Sequence, residues 1–259
     1  MVQIDSTDGN QEAYQPHSVT AKAFYEAMRK AENDGAIRDA VNKASIEFFK
    51  AMWVTLNEDR IARRIQTEIA GAASIAGLML LRGTGEDLTQ YEPGQVLLHD
   101  FEETDVILVT FIAGAAMRFG LEAKTGWTTP IPVAYQPECS VMELTQKLEG
   151  PFYEVCIQTG IGKEYYPFVA ALTAMSLVKR GHADHQIDEA IGRSLTLSYV
   201  TKASKTVPYP LPKQPQKLSL LATGVWIVIL LALAIVGILL AMANQPVGAY
   251  PMLASALGG

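Results

Sequence analysis

Residues 69–81 read IAGAASIAGLMLL, thirteen positions without a charge. A helix that crosses a bilayer needs about 20 apolar residues, whereas a buried core helix carries a run of about 10 to 14. Thirteen therefore predicts the central helix of a bundle. Residues 106–117 (VILVTFIAGAAM) and 166–178 (YPFVAALTAMSLV) read the same way. A re-entrant membrane segment at one of the three is the competing reading.

Working outward, Ser18 is placed to cap a helix over 19–33, in which Ala21, Phe24, Tyr25 and Met28 recur at helical spacing before Asp34-Gly35 stops it. A second helix is expected over 36–56, with an apolar stripe of Ile37, Val41, Ala44, Ile46, Phe49, Met52 and Trp53. A third starts at Asn57 and runs over 58–81, charged at first and then apolar. Residues 83–94 read as a loop, 96–100 (VLLHD) as a short strand or a lead-in, and Thr104 or Asp105 as the cap of the helix that follows. The prolines at 130, 132 and 137 predict an ordered surface loop. Ser140 and Glu143 form a capping box that opens the next helix, Gly150-Pro151 ends it, and 152–159 makes a separate short one. Pro167 suits a first helical turn, Gly181 ends that helix, and Asp184 caps the last, over 185–203. The expectation is an all-α body of seven to eight helices.

Composition divides the chain in two. Of its 259 residues, all 21 Lys/Arg and all 27 Asp/Glu lie at or before Lys217. Net charge is −6, and four lysines (202, 205, 213, 217) stand in a stretch with no acid, so the chain ahead of them is still more acidic. An acidic body without a basic stripe excludes a nucleic-acid partner, which needs cations to displace counterions. Cys139 and Cys156 lack C-x-x-C spacing and read as reduced thiols. Residues 1–17 form a polar tail with no apolar run, so no signal peptide is expected there.

Residues 218–243 read LSLLATGVWIVILLALAIVGILLAMA, with Ser219, Thr223 and the Trp226 indole as the only polar side chains. This is long enough to span a bilayer with some tilt and is expected to be a C-terminal transmembrane helix. Lys213 and Lys217 precede it and 244–259 has no basic residue, so the body is expected in the cytoplasm and the short tail outside. Lys213, Lys217, Trp226 and Tyr250 are the expected interface anchors, and Ala234, Gly237 and Ala241 the expected helix-packing seam. Residues 18–206 make the helical domain, and the proline-rich basic stretch 207–217 makes an extended spacer between it and the span.

Candidate chemistry is sparse. His182, Asp184, His185 and Asp188 have metal-ligand residue types at close spacing but no third or fourth partner to complete a site, so a polar helix start is the simpler account. His99 and Asp100 with Glu102 and Glu103 put a base among carboxylates, although consecutive side chains point apart and acids suit a helix start. Gly83-Thr84-Gly85 and the 159–163 stretch TGIGK match no phosphate-loop pattern and read as turns. Arg60, Arg63 and Arg64 read as a solvated face pairing with Glu58 or Glu68.

These features give no catalytic, cofactor or metal residue. In plan, the chain resembles the anchored inner-membrane components of some secretion machines, a likeness of topology that implies assembly over catalysis. The expected function is a non-enzymatic, single-pass adaptor or scaffold within a larger membrane complex, with other subunits and the bilayer as partners. The alternative is a membrane-tethered enzyme on a lipid or membrane-borne substrate, using His99 or the His182/His185 pair as base.

Overall fold

Every position of the third helix from Ile65 to Leu81 is buried, including its polar residues Gln66, Thr67, Glu68 and Ser74. This helix is the axis of the body in a computed structural model, which describes residues 16–58, 64–97, 102–122 and 127–210, apart from the side chains of Glu58 and Glu102. All of them belong to one unit, Met1–Leu211. The elements are α1 (Val19–Asn33), α2 (Gly35–Glu58), α3 (Ile65–Gly83), α4 (Glu102–Arg118), α5 (Val141–Thr159), α6 (Tyr166–Ala183) and α7 (Glu189–Ser204). Short 3-10 turns lie at Leu88–Gln90, Val133–Tyr135 and Lys163–Tyr165. The body is all-α; among the described residues the only extended pairing is an isolated antiparallel bridge between Val96 and Thr206.

Packing explains why α3 tolerates no exposed face. It lies against α6 and α7 along its length and against α5 on another side, while α2 covers α5 and α6, and α1 pairs with α4. Stacked rings join the layers: Phe168 of α6 meets Phe24 of α1 at 4.7 Å and Phe111 of α4 at 4.8 Å between centroids, and Phe48 of α2 meets Phe152 of α5 edge-on at 4.8 Å. The α3–α7 crossing requires a glycine. A Cβ on Gly77 would lie 2.2 Å from the Val200 carbonyl oxygen and 2.8 Å from the Ser204 nitrogen. Ser45 of α2 and Thr173 of α6, both buried, partner each other across helices through a 2.9 Å hydrogen bond between their hydroxyls.

Two local caps formed where the sequence placed them. Ser18 accepts from the Ala21 amide, and Ser140 with Glu143 makes a complete capping box that holds the exposed Glu143 carboxyl below its usual range through the Ser140 backbone N–H. Pro167 sits in the first turn of α6.

Several expectations are corrected. Gly150-Pro151 does not end a helix, because Leu144, Leu148, Phe152, Val155 and Cys156 form one buried stripe running through it. A proline inside a helix loses its own amide bond and costs about 3 kcal/mol, which burial of that stripe against α2 and α3 offsets. Gly181 lies inside α6, where a Cβ would meet Ile65 Cγ1 at 2.6 Å, so its smallness serves packing and not termination. Asp188, not Asp184, caps α7 by accepting from the Ala190 amide at 2.8 Å, and Asp184 is the C-cap of α6. The helix begun at Asn57 is instead two: α2 continues through Glu58 and α3 starts at Ile65. The α4 helix begins at Glu102, ahead of both expected caps. The buried face of α2 is Val41, Ala44, Phe48, Met52 and Leu56, rotated from the expected stripe, and Ile46 is 55% exposed. Of the three apolar stretches, α3 and α6 are central, whereas Val106 and Met117 of α4 are exposed. No helix among the described residues is long and apolar enough to cross a membrane. Residues 218–243, with Lys213, Lys217, Trp226, Ala234, Gly237, Ala241 and Tyr250, lie outside the described residues.

Candidate functional site

The two histidines of 182–188 do not assemble a site. His182 lies in the last turn of α6 and His185 follows in a left-handed turn (φ 55°), both exposed, and Asp188 is committed to the α7 cap. Among the described residues no group of three His, Cys, Asp or Glu is arranged to hold a metal ion. His99 and Asp100 lie outside the described residues. Their neighbour Glu103 has a structural role: its two carboxylate oxygens accept the backbone N–H of His17 and Ser18 at 2.9 and 3.0 Å. Those donors hold its carboxyl below the usual range and fix the entry into α1.

Arg60 and Arg63 also lie outside the described residues, and Arg64 pairs with Glu138 at 3.2 Å, not with Glu68. Glu68 instead pairs with Arg180 of α6, whose guanidinium covers the Phe49 ring at 4.7 Å. Both cysteines are buried, and burial pushes the Cys156 thiol up to about 12, which removes it as a nucleophile near neutral pH. The glycine stretches are turns: the Thr84 hydroxyl donates back to the Leu81 carbonyl, and Gly160 at φ 68° closes α5. They nonetheless meet in space, since Gly83, Thr84 and Lys163 line one cleft of about 350 Å³ with an apolar wall of Val19, Phe24 and Met79.

The most structured polar site lies where the chain leaves the helices. Beyond α7, Lys205–Val207 turns back along 94–97 through three backbone hydrogen bonds: Leu97 N to Lys205 O at 2.8 Å, Val207 N to Gln95 O at 2.9 Å, and Gly94 N to Val207 O at 2.8 Å. Leu81, Leu97 and Val207 make a small apolar cluster of their own there, flanked by Leu88 and Tyr91. Beside it, Arg82, Thr89, Tyr91, Pro93, Pro208 and Tyr209 line a cleft of about 420 Å³. Arg82 reaches from this cleft into the body, where its Nε donates to Glu149 Oε1 at 2.5 Å. Glu149 is 2% exposed, and burial pushes its carboxyl above the usual range against the pull of Arg82. Next to Glu149, burial and its negative charge raise the Tyr153 phenol to about 12. On the α4 side, burial likewise raises Asp105, opposed by Lys205 and Ser204.

This exit site fixes the course of Lys205–Val207 and holds an ion pair whose carboxylate is buried and whose guanidinium is half-buried. Among the described residues it offers no nucleophile–base pair. Sequence reading offered 96–100 as a short strand or a lead-in; among the described residues only an isolated bridge at Val96 forms there, and its pairing with a residue about 110 positions away carries no local signal. No family model matches the chain, and neither a curated protein nor a solved structure is significantly similar to it.

Proposed function

We propose that the chain is a membrane-anchored helical adaptor, in which residues 218–243 enter the bilayer and the helical body presents its surface to other subunits of a membrane complex. The observation that carries this reading is the 26-residue uncharged stretch that follows Lys217 directly. Support for assembly over catalysis comes from the body. Its main core is one continuous apolar cluster contributed by every helix, and the two clefts named above are lined by neither His182 nor His185.

The reading has two separable parts. For topology, single cysteines near residue 200 and residue 255 are probed on intact cells with an impermeant thiol reagent. Labelling at 255 alone is expected, and labelling at 200 alone reverses the orientation. For the class of function, the paired change His182→Ala and His185→Ala is expected to leave cellular function and complex size intact, whereas truncation after Pro215 abolishes both. A histidine variant with normal level and complex size but no activity would replace the adaptor with a tethered enzyme.

A further inference from the structure

We propose that Lys205–Val207 is a strap that opens and closes as a local unit while the helical body stays folded. Three features of the exit site carry this. Its side-chain anchor, Val207 against Leu81 and Leu97, is a cluster separate from the main core, so releasing it creates no cavity among the packed helices. Its backbone anchor to residues 94–97 is the three hydrogen bonds already described; its other bonds, from the Lys205 and Thr206 amides and the Thr206 hydroxyl, run back to the last turn of α7 and so do not hold it to the loop. Prolines at 93, 208 and 210 flank the pairing, and among the described residues no backbone hydrogen bond between 92–93 and 208–210 lengthens it.

The partner loop is held by short-range bonds of its own. Asp87 accepts from the Thr89 amide at 3.1 Å and its hydroxyl at 2.6 Å, Tyr91 donates to Glu86 at 2.9 Å, and the Gln95 amide donates to Glu92 O at 3.0 Å. It therefore keeps its shape when the strap lifts. Small contact area and few backbone bonds are the properties of segments that open locally, well below the free energy of global unfolding.

Opening uncovers Leu81 and Leu97 and removes one wall of the cleft beside Arg82, since Val207, Pro208, Tyr209 and Pro210 form that wall. On moving back along the chain from Pro210, the strap's hydrogen bonds are the first backbone hydrogen bonds met among the described residues, so tension applied there acts on them before it acts on α7. The inference stands whether or not residues 218–243 enter a membrane.

The test is hydrogen exchange read by mass spectrometry on the full chain in mild detergent. The amides of Gly94, Leu97 and Val207 are expected to be protected, yet to exchange at least about tenfold faster than those of α3. Val96 and Thr206 form a non-hydrogen-bonded antiparallel pair, whose close Cα separation suits a disulfide. In the V96C/T206C double variant, oxidation is expected to slow the Gly94 and Val207 amides at least about tenfold while α3 exchange is unchanged. Val207→Ala is expected to speed the strap amides without shifting the helical melting midpoint. Exchange of the wild-type strap at the α3 rate overturns the proposal, because the strap then opens only with the whole body. Absence of any protection at the three amides overturns it equally.

Discussion

Gly77→Ala is expected to lower the thermal midpoint of the helical body by at least about 6 °C, and Gly77→Val to prevent its folding. The added Cβ would sit 2.2 Å from the Val200 carbonyl oxygen, 2.8 Å from the Ser204 nitrogen and 2.9 Å from the Ala203 Cβ. Two of those three atoms are backbone of α7, so no rotamer change relieves the overlap and the helix itself has to move. Moving α7 disturbs its packing along α3 and α6, both buried over most of their length. Overpacking a core with one extra methyl costs about 1 to 3 kcal/mol, and more when the contact is rigid. At the upper end, a domain of this size loses about 2 to 4 °C per kcal/mol. Gly83→Ala is the internal control: nothing lies within 4 Å of its added Cβ, so it should be neutral or raise the midpoint slightly. Thermal melts of the full chain followed by far-ultraviolet circular dichroism distinguish the two, and equal midpoints for Gly77→Ala and wild type would show that α3 and α7 do not cross this closely.

Arg82→Met should destabilise the body by about 3 to 5 kcal/mol at pH 7, the usual cost of leaving one charge of a buried pair without its partner. The charge left behind is the Glu149 carboxylate, 2% exposed and deprived of its 2.5 Å bond from Arg82 Nε. The loss depends on pH with a definite sign. Burial already raises Glu149 in the folded protein, and Arg82 opposes that rise. Removing Arg82 widens the gap between the folded and unfolded pKa. A carboxyl whose folded pKa is raised contributes its stability below the unfolded value, about 4.3, and loses it as pH rises through the folded value. The deficit of Arg82→Met relative to wild type should therefore shrink between pH 7 and pH 5. Replacing both partners, Arg82→Met with Glu149→Leu, should restore most of the loss, because an apolar pair of similar volume avoids the desolvation of both charges. Urea unfolding at the two pH values reads all three variants. A single variant as stable as wild type at pH 7 would mean that water reaches Glu149 in the folded body.

The two residues differ in how far the sequence announces them. Gly77 lies in IAGAASIAGLMLL, whose small residues suggest close packing but not which glycine meets a neighbour. Gly83, six positions on, has open space around it. Arg82 and Glu149 are 67 positions apart, and nothing near either residue marks the other. The same holds for Glu68 and Arg180, where the local i, i+4 partner Arg64 was the natural candidate and a distant helix supplied the actual one. Sequence reading went wrong most clearly at Gly150-Pro151, a local stop signal overridden by the apolar stripe that continues past it, whereas Gly181 lies two residues short of the α6 end and is small because Ile65 packs against it.

What the sequence determined by itself rests on interactions within a few residues. The Ser18 cap and the Ser140–Glu143 box formed as read, because a cap closes on amides two or three positions away and needs no tertiary partner. The all-α class followed in the same way from apolar runs of helical length and spacing. The uncharged 218–243 stretch is likewise a property of composition alone. Tertiary structure alone decided which glycine sits at a helix crossing, which carboxylate Arg82 and Arg180 each meet, and that Val207 returns to Gln95 at the chain's exit. Each of these joins atoms that come within van der Waals or hydrogen-bond distance only after the helices have packed, and such contacts leave no periodicity in the chain to be read beforehand.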